Sequence, residues 1–337
     1  MSKFITGLAL VALPAALAAQ TYKVEKFNIG GDGGNDYLSS DAATGRVFIS
    51  RGTHVMVVDG ATGKVLGDIM DTPRVHGIAF APKAGHGFTT NGGDSTSTMF
   101  DLKTLAVVKK VKAGQRGLDG IMYDDVTDRI LTIDHSAKGT PGTVVVIEPK
   151  AGEVTGTFNV VGDAPEGGVS DGKGRIFINS EDKNAVDVID SKTWKVVASW
   201  PTCDGPTGIA MDRTTNRIFT ACGKESYVLD ATTGKVVAKI PNGDGVDALG
   251  WDQSQKLMYI PAGQSGNVTV VHEDGPDKYT VVETVKTMVG GKTIAVDDVH
   301  HAAYVFALER GPSTPGTNGG RATPGPITAA WLISIKK

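Results

Sequence analysis

The sequence repeats one pattern at intervals of roughly 40 residues. The pattern is an apolar segment that ends in an acidic residue and then a turn, as in "VVDGATGKVLGDI" from Val57, "VIDSKTWKVVASW" from Val188 and "VLDATTGKVVAKI" from Val228. β-Branched residues and alternation indicate strands. The acid can accept hydrogen bonds from turn amides and Gly supplies positive φ, so each copy predicts a hairpin. The recurring acids are Asp59, Asp101, Glu148, Asp190 and Asp230.

Two more strands precede each hairpin. One reads "IAFAP", "IMYDD" or "IAMDR", and the next reads "RVFIS", "RIFIN" or "RIFTA". Four short antiparallel strands and a Gly-rich link form a propeller blade, whereas no segment sustains the 3.6-residue period of a helical solenoid. We therefore predict an all-β, seven-bladed β-propeller with four-stranded antiparallel blades. Its seven inner strands are expected near Tyr37, Ile78, Ile121, Gly167, Ile209, Leu249 and Ile294.

The last repeat has only three strands before the chain reaches Lys337. An unmatched strand, "YKVEKFN", lies near the N-terminus and has the pattern of an outer strand. An incomplete blade would expose a sheet edge. We predict that Tyr22–Phe27 completes the last blade beside Trp331–Ile335 and closes the ring.

The first 19 residues read as an export signal. Lys3 precedes the apolar stretch "FITGLALVALPAALAA", and Ala16-Leu17-Ala18 fits a cleavage site. The alternative is an uncleaved N-terminal anchor. We predict signal peptide 1–19, one propeller domain over 20–337 with no further membrane span, a monomer, and a periplasmic or secreted location. The net charge of −3 and the lack of a basic stripe argue against nucleic acid as a partner.

The segment "PTGIAMDRTTNRIFTACGKESYVLDATTGKVVAKIP" resembles the repeat of the YVTN-type seven-bladed propellers, which include the periplasmic YncE-like proteins. The resemblance covers nearly the whole mature chain, although the Tyr-Val-Thr-Asn strand occurs only as variants such as "RIFTA" and "YVFAL". It implies the fold and export. It implies no particular activity, because the matching residues are those that build blades. Single-stranded DNA binding is associated with the group, but the charge balance here gives it little support.

Propeller topology places the links between blades and the loops between second and third strands on one face, called here the mouth face. Loops held on a rigid scaffold commonly bind ligands. The predicted ligand-binding residues on the links are Arg74, His76, Arg116, Asp119, Glu166, Asp204 and Asp247. The alternative is that Asp and Gly serve as turn residues of a solvated rim.

The leading function prediction is an exported cell-envelope binding or scaffold protein without intrinsic catalysis. Its partner would be a small polar ligand or an envelope protein. The alternative is a metal-assisted hydrolase or lyase, similar to a lactonase, with a divalent cation at the channel mouth. Its ligands would be Asp36, Asp119, Glu166, Asp204 and Asp247, with His76 as acid/base. His54, His76 and His135 share the mouth face but lack metal-ligand spacing.

No other cofactor is predicted, because the sequence has no C-x-x-C-H haem motif, G-x-S-x-G elbow or phosphate-binding loop. A redox accessory role is a third possibility that a coloured cofactor would support. Cys203 and Cys222 lie at neighbouring strand ends of one hairpin, so a disulfide is predicted, with free thiols or a soft-metal site as alternatives. Residues 309–326 form a Pro/Gly/Thr-rich insertion, either slack or a lid.

Overall fold

Seven antiparallel sheets of four strands form the protein. The computed structural model describes residues 21–115, 117–314 and 322–337. The predicted export signal, Arg116 and the middle of the 309–326 insertion lie outside these ranges. Inner strands of successive sheets contact one another around a closed cycle, so the predicted seven-bladed β-propeller is confirmed. Within the described ranges, no helix is long and apolar enough to cross a bilayer.

The strands of blades 1 to 4 follow the chain order, from inner to outer strand. Blade 1 contains β2 (Leu38–Asp41), β3 (Arg46–Ser50), β4 (Val55–Asp59) and β5 (Val65–Ile69). Blade 2 contains β6 (Val75–Ala81), β7 (His86–Asn91), β8 (Thr96–Asp101) and β9 (Val107–Lys112). Blade 3 contains β10 (Gly117–Asp124), β11 (Arg129–His135), β12 (Thr143–Glu148) and β13 (Glu153–Asn159). Blade 4 contains β14 (Pro165–Ser170), β15 (Arg175–Ser180), β16 (Ala185–Asp190) and β17 (Lys195–Pro201), with a 3₁₀ turn at Glu181–Lys183.

Blades 5 and 6 repeat this order, and blade 7 takes its outer strand from the N-terminal end. Blade 5 contains β18 (Gly208–Asp212), β19 (Arg217–Ala221), β20 (Glu225–Asp230) and β21 (Val236–Pro241). Blade 6 contains β22 (Gly250–Asp252), β23 (Leu257–Ala262), β24 (Asn267–Gly275) and β25 (Lys278–Lys286). Blade 7 contains β26 (Ile294–Asp297), β27 (Ala302–Arg310), β28 (Ile327–Lys336) and finally β1 (Lys23–Asn28).

Strand β1 closes the ring as predicted. It pairs antiparallel with β28, in a register that sets Lys23 opposite Lys336 and Asn28 opposite Trp331. Tyr22, just before the strand, is buried and meets the ring of Tyr259 edge-on at 6.5 Å. This contact reaches from the N-terminal end into blade 6, so the closing segment joins two blades rather than extending one sheet.

Arg51 holds the link between β1 and blade 1. Its side chain is fully buried and donates to three backbone carbonyls of that link, at Gly30 (3.0 Å), Gly31 (2.9 Å) and Gly34 (3.1 Å). Gly33 has φ +100°, and a Cβ there would lie 1.9 Å from the Arg51 carbonyl oxygen. The Gly-rich link therefore provides the close backbone approach that a buried guanidinium needs.

Apolar side chains fill the spaces between neighbouring blades. Between blades 1 and 2, for example, Phe48 and Val57 pack with Phe100, and all three are fully buried. Burial of such side chains stabilises each by roughly 1.5–3 kcal/mol. Because every blade has two neighbours in the closed ring, each inter-blade core depends on the ring remaining closed.

A buried carboxyl pair joins blades 5 and 6 on the face opposite the mouth face. Asp212 ends β18, and Glu273 lies in β24 with 1% of its surface exposed. Thr215 Oγ1 lies 2.8 Å from both an Asp212 and a Glu273 oxygen. Burial, with Asp212 alongside, raises the pKa of Glu273 to about 7. Burial opposes the charge of Asp212, but hydrogen bonds from Glu273, Gln253 and Thr215 lower its pKa to about 2. The pair therefore shares one proton in acid and loses it near neutrality.

Deletion of residues 22–30 removes β1 and the link that Arg51 holds. We expect a loss of at least about 4 kcal/mol in the free energy of unfolding, because buried Tyr22 and Ile29 and a full edge of hydrogen bonds are lost. Urea denaturation measures this loss. The matched control is Lys26→Ala, an exposed residue of the same strand, with an effect of about 0.5 kcal/mol or less. Equal effects of the two changes would contradict the closure role.

The Glu273 pair predicts a pH-dependent stability. The folded-state pKa of about 7 lies above the ordinary value of 4.5, so its stabilising contribution is complete below 4.5 and is lost as pH rises through 7. Glu273→Gln keeps a neutral hydrogen-bond donor beside Asp212. We expect the free energy of unfolding of this variant to fall less between pH 5 and 8 than that of the wild type. Glu153→Gln, at an exposed glutamate, is the control and should follow the wild type. If the free energy of unfolding changed with pH in the same way for all three proteins, this assignment would be wrong.

Candidate ligand site at the channel mouth

One residue of each blade occupies an equivalent position at the start of the inner strand, on the mouth face. Each lies two residues before the inner-strand residue that is equivalent in all blades, which is the third letter of "HGI", "DGI", "TGI" and "KTI". We call this set the mouth ring. Its members in blade order are Asp36, His76, Asp119, Glu166, Thr207, Asp247 and Lys292. Because inner strands surround the central channel, the ring gathers four acids, one histidine, one lysine and one threonine around a single opening.

β-Bulges position the mouth-ring residues of blades 2, 3 and 4. The pairing of β6 with β7 jumps from Val75 to Ile78, and the corresponding jumps occur at Leu118/Ile121 and Pro165/Gly168. Each jump inserts one extra residue into the inner strand, and a bulge of this kind re-aims side chains. Gly120 fits this geometry, since a Cβ there would lie 2.6 Å from the Glu166 carbonyl oxygen. In these three blades, His76, Asp119 and Glu166 lie within the bulged segments.

Side chains of the preceding blade fix the backbone of the bulged residues. Ser50 Oγ donates to the His76 carbonyl, and Thr90 Oγ1 donates to the Asp119 carbonyl. Thr90 Oγ1 also accepts from the Gly77 amide at 2.8 Å. Ser50 ends β3 and Thr90 lies in β7, so second strands position the ring residues of the next blade. Rigid positioning of this kind suits a binding site.

An ion-pair chain joins five of the seven mouth-ring residues. His76 Nδ1 lies 2.5 Å from Asp36 Oδ2 and 3.7 Å from Asp119 Oδ1. Lys292 Nζ contacts an Asp247 oxygen closely and lies 3.7 Å from Asp36 Oδ1. Five blades, numbers 6, 7, 1, 2 and 3, are linked in this way.

His135, at the end of β11, extends the chain to Glu166. Its Nε2 lies 3.2 Å from Glu166 Oε1, and only 7% of the Glu166 surface is exposed. The contact is not aligned as a hydrogen bond, and two fully buried atoms, Asp119 Oδ1 and His135 Nε2, have no hydrogen-bond partner among the described residues. Buried polar atoms without partners are uncommon in folded proteins, because each costs free energy. These two atoms could therefore still form bonds with a ligand.

The surroundings shift the pKa values of the four central groups. Contact with Asp36 raises the pKa of His76, and contact with Glu166 raises the pKa of His135 to about 9. Burial raises the pKa of the Asp119 carboxyl, and burial raises that of Glu166 to about 7. The site holds its protons more tightly than free side chains do. Perturbed groups clustered in a cleft are typical of functional sites.

Three cavities adjoin the mouth ring. One of about 400 Å³ reaches Asp247 and Lys292 between blades 6 and 7. A second, of about 450 Å³, is lined by His135 and the start of β10 in blade 3. A third, of about 150 Å³, lies within the channel and is lined by Tyr37 and the inner strands of blades 1 to 4. Burial raises the pKa of Tyr37 well above its usual value, and neighbouring ring carboxylates add to the effect. There is thus room for a small molecule beside the ion-pair chain.

The structure brings four of the seven predicted ligand-binding residues into the mouth ring: His76, Asp119, Glu166 and Asp247. Asp204 is exposed outside the ring and accepts a 2.9 Å hydrogen bond from Asn184 Nδ2. Arg74 is exposed, with φ 51°, and lies close enough to His76 to oppose its positive charge. Arg116 lies outside the described residues. His54 contacts Asp68 at 3.7 Å, away from the cluster that holds His76 and His135.

A disulfide joins Cys203 to Cys222, with 6.1 Å between their Cα atoms. It ties the link that enters blade 5 to the residue that follows β19. Blade 5 supplies Thr207 to the ring, and the Thr207 amide donates to the Ala221 carbonyl at 3.0 Å. The cross-link therefore anchors the segment that carries this ring residue.

Sequence reasoning missed the roles of Asp36, Lys292 and His135 as one connected set. The signal for Asp36 and Lys292 was available, because an alignment of the inner strands puts one polar residue at the same offset in every blade. His135 gives no such signal, since it ends a second strand and joins the cluster through its contact with Glu166 in the next blade.

Comparisons with known proteins show the fold. No protein-family model matches the sequence, and no curated protein matches it. Solved structures do match: the WD40 repeats of RRP9 (TM-score 0.77, 8% identity, 93% of this chain and 97% of that chain) and a chain of the mitotic checkpoint complex (0.73, 14%, 91% and 95%). Kuenenia stuttgartiensis hydrazine synthase also matches (TM-score 0.69, 15% identity, 87% of this chain and 95% of that chain). At these identities the likeness is to the propeller fold alone.

Lys292 neutralises two ring carboxylates. Lys292→Met leaves Asp36 and Asp247 close together without their shared cation, and we expect a loss of about 1–2 kcal/mol in the free energy of unfolding. Urea denaturation measures it. Lys224→Met, at an exposed lysine 3.6 Å from Asp244 on the same face, should cost about 0.5 kcal/mol or less. Equal losses would show that the ion-pair chain does not hold the ring.

Proposed function

We propose that this protein is an exported, YVTN-type propeller that binds a small polar ligand at the mouth ring and performs no catalysis itself. The observation that carries the proposal is the pair of buried atoms, Asp119 Oδ1 and His135 Nε2, that lack hydrogen-bond partners among the described residues. A ligand that bonded to both would supply the aligned hydrogen bonds that their contacts with His76 (3.7 Å) and Glu166 (3.2 Å) do not provide. Both atoms belong to the ion-pair chain beside the cavities.

The charge pattern of the ring suits a ligand with both donor and acceptor groups. Asp36 and Asp119 offer acceptor oxygens, and Lys292, beside Asp36 on the neighbouring blade, offers donors. Such mixed surroundings favour small zwitterions, polyols or hydroxy acids over purely apolar molecules. Three mouth-ring residues, His76, Asp119 and Glu166, lie within inner strands, so little ordering of these residues is needed on binding.

Export is part of the proposal and rests on the N-terminal signal pattern. The Cys203–Cys222 disulfide supports it, because such bonds persist in oxidising compartments.

Thermal unfolding in the presence of candidate ligands tests the proposal. Free amino acids, small sugars and hydroxy acids are added separately to the mature protein, with EDTA present to remove metal ions. We expect at least one class to raise the Tm of the wild type with concentration, because a ligand of the folded state stabilises it by mass action. Asp119→Asn should abolish the shift, and Asp204→Asn, an exposed residue outside the ring, should retain it. No shift with any class, or an equal shift in Asp119→Asn, would contradict the proposal.

The second candidate function is metal-assisted hydrolysis of a small ester or lactone. The observation that favours it is that Asp36, His76 and Asp119 place one donor atom each within 4.8 Å of one another, as do Asp119, His135 and Glu166. A bound divalent cation would polarise the carbonyl and lower the pKa of its bound water. In the reaction, water would add to the carbonyl carbon and the acyl C–O bond would break, giving an acid and an alcohol.

A further inference from the structure

We propose that the mouth ring binds two divalent metal ions, with the Asp119 carboxylate bridging them. The inference rests on the proposal that the channel mouth is the ligand site, and it specifies the site's chemistry. The first ion would take Asp36, His76 and Asp119, and the second would take Asp119, His135 and Glu166.

The spacing of the donor atoms favours two ions over one. In each group of three, the donor atoms lie within 4.8 Å of one another, but the two groups do not merge into one set of five. Zinc bonds to nitrogen and oxygen are about 2.1 Å long, so one ion cannot bind donors more than about 4.2 Å apart. Two ions that share Asp119 could use all five residues with small side-chain movements.

The buried atoms that lack hydrogen-bond partners belong to the proposed metal ligands. Asp119 Oδ1 belongs to the shared carboxylate and His135 Nε2 to the second group, and both are buried without hydrogen-bond partners among the described residues. The Glu166 side chain is about nine-tenths buried, and its Oε1 lies 3.2 Å from His135 Nε2 without the alignment of a hydrogen bond. A carboxylate and an imidazole nitrogen left in this condition are suited to a cation, which would satisfy all of them together.

The donor set indicates the class of metal. Each group combines one imidazole nitrogen with oxygens of two carboxylates, which suits Zn²⁺, Mn²⁺ or Fe²⁺ better than Ca²⁺. Three protein donors leave coordination positions open, as in metal sites that also bind an exogenous ligand.

The charge balance indicates the class of ligand. The ring carboxylates of Asp36, Asp119, Glu166 and Asp247 carry −4, Lys292 adds +1 and two divalent ions would add +4, which leaves +1. A slightly positive opening favours an anionic group, such as a carboxylate or phosphate, on the open metal positions. Lys292, 3.7 Å from Asp36 Oδ1, would orient that ligand from outside the coordination shell.

Zn²⁺ titration of EDTA-treated, dialysed protein tests the inference by calorimetry and elemental analysis. We expect two ions per chain in the wild type. Asp119→Asn should weaken both sites by roughly 10- to 100-fold or more, since even outer-shell changes cost that much. His76→Gln and His135→Gln should each leave one ion. His272→Gln, which removes a histidine paired with Asp274 on the opposite face, should leave two.

The outcomes separate this inference from the proposed function. Circular dichroism and thermal unfolding identify any variant that fails to fold, and the two histidine variants then carry the test. In the wild type, exchange coupling between two bound Mn²⁺ ions in electron paramagnetic resonance would support a bridged pair. Zero or one Zn²⁺ per chain, or two with unchanged affinity in Asp119→Asn, would overturn the inference. If organic ligands bind in the presence of EDTA but the protein binds fewer than two Zn²⁺, the proposed function stands and this inference fails. If the protein binds two Zn²⁺ but no organic ligand, this inference stands and the proposed function fails.

Discussion

The pairing of β1 with β28 is the constraint on which the rest of the structure depends. Blade 7 has only three strands from the C-terminal end of the chain, and the fourth comes from residues 23–28. Each blade packs its two faces against neighbouring blades, so an open ring would expose apolar faces at the break. Buried Arg51 adds to the closure by holding three carbonyls of the link from β1 to blade 1.

Closure also creates the candidate site. Asp36 and Lys292 come from opposite ends of the sequence and lie 3.7 Å apart only because blades 1 and 7 are neighbours in the closed ring. Thr293 Oγ1 donates to the Asp36 carbonyl at 2.6 Å across the same junction. The bulges in blades 2, 3 and 4 then direct His76, Asp119 and Glu166 into the cluster. The cluster is therefore a product of ring geometry and of three local irregularities.

Much of the fold could be predicted from the sequence. Strand alternation, recurring hairpin turns and the unmatched strand at Tyr22–Phe27 give the blade count and the closing pair, because these features are local or follow from edge pairing. The site could be predicted only in part. Repeats put His76 and Asp247 on the mouth face, but side-chain direction depends on bulges and on contacts such as Asn184 with Asp204, which no repeat pattern encodes. Arg74 likewise has a positive φ, which its residue type does not predict.

Native-state hydrogen exchange of the β1 amides tests the ring closure most directly. Amides of Lys23–Asn28 that bond to β28 should exchange only through global unfolding, with the same opening free energy as the central strands of the other blades. Opening of β1 at a much lower free energy, while β28 and the remaining blades stay protected, would show that the ring does not depend on its closing strand.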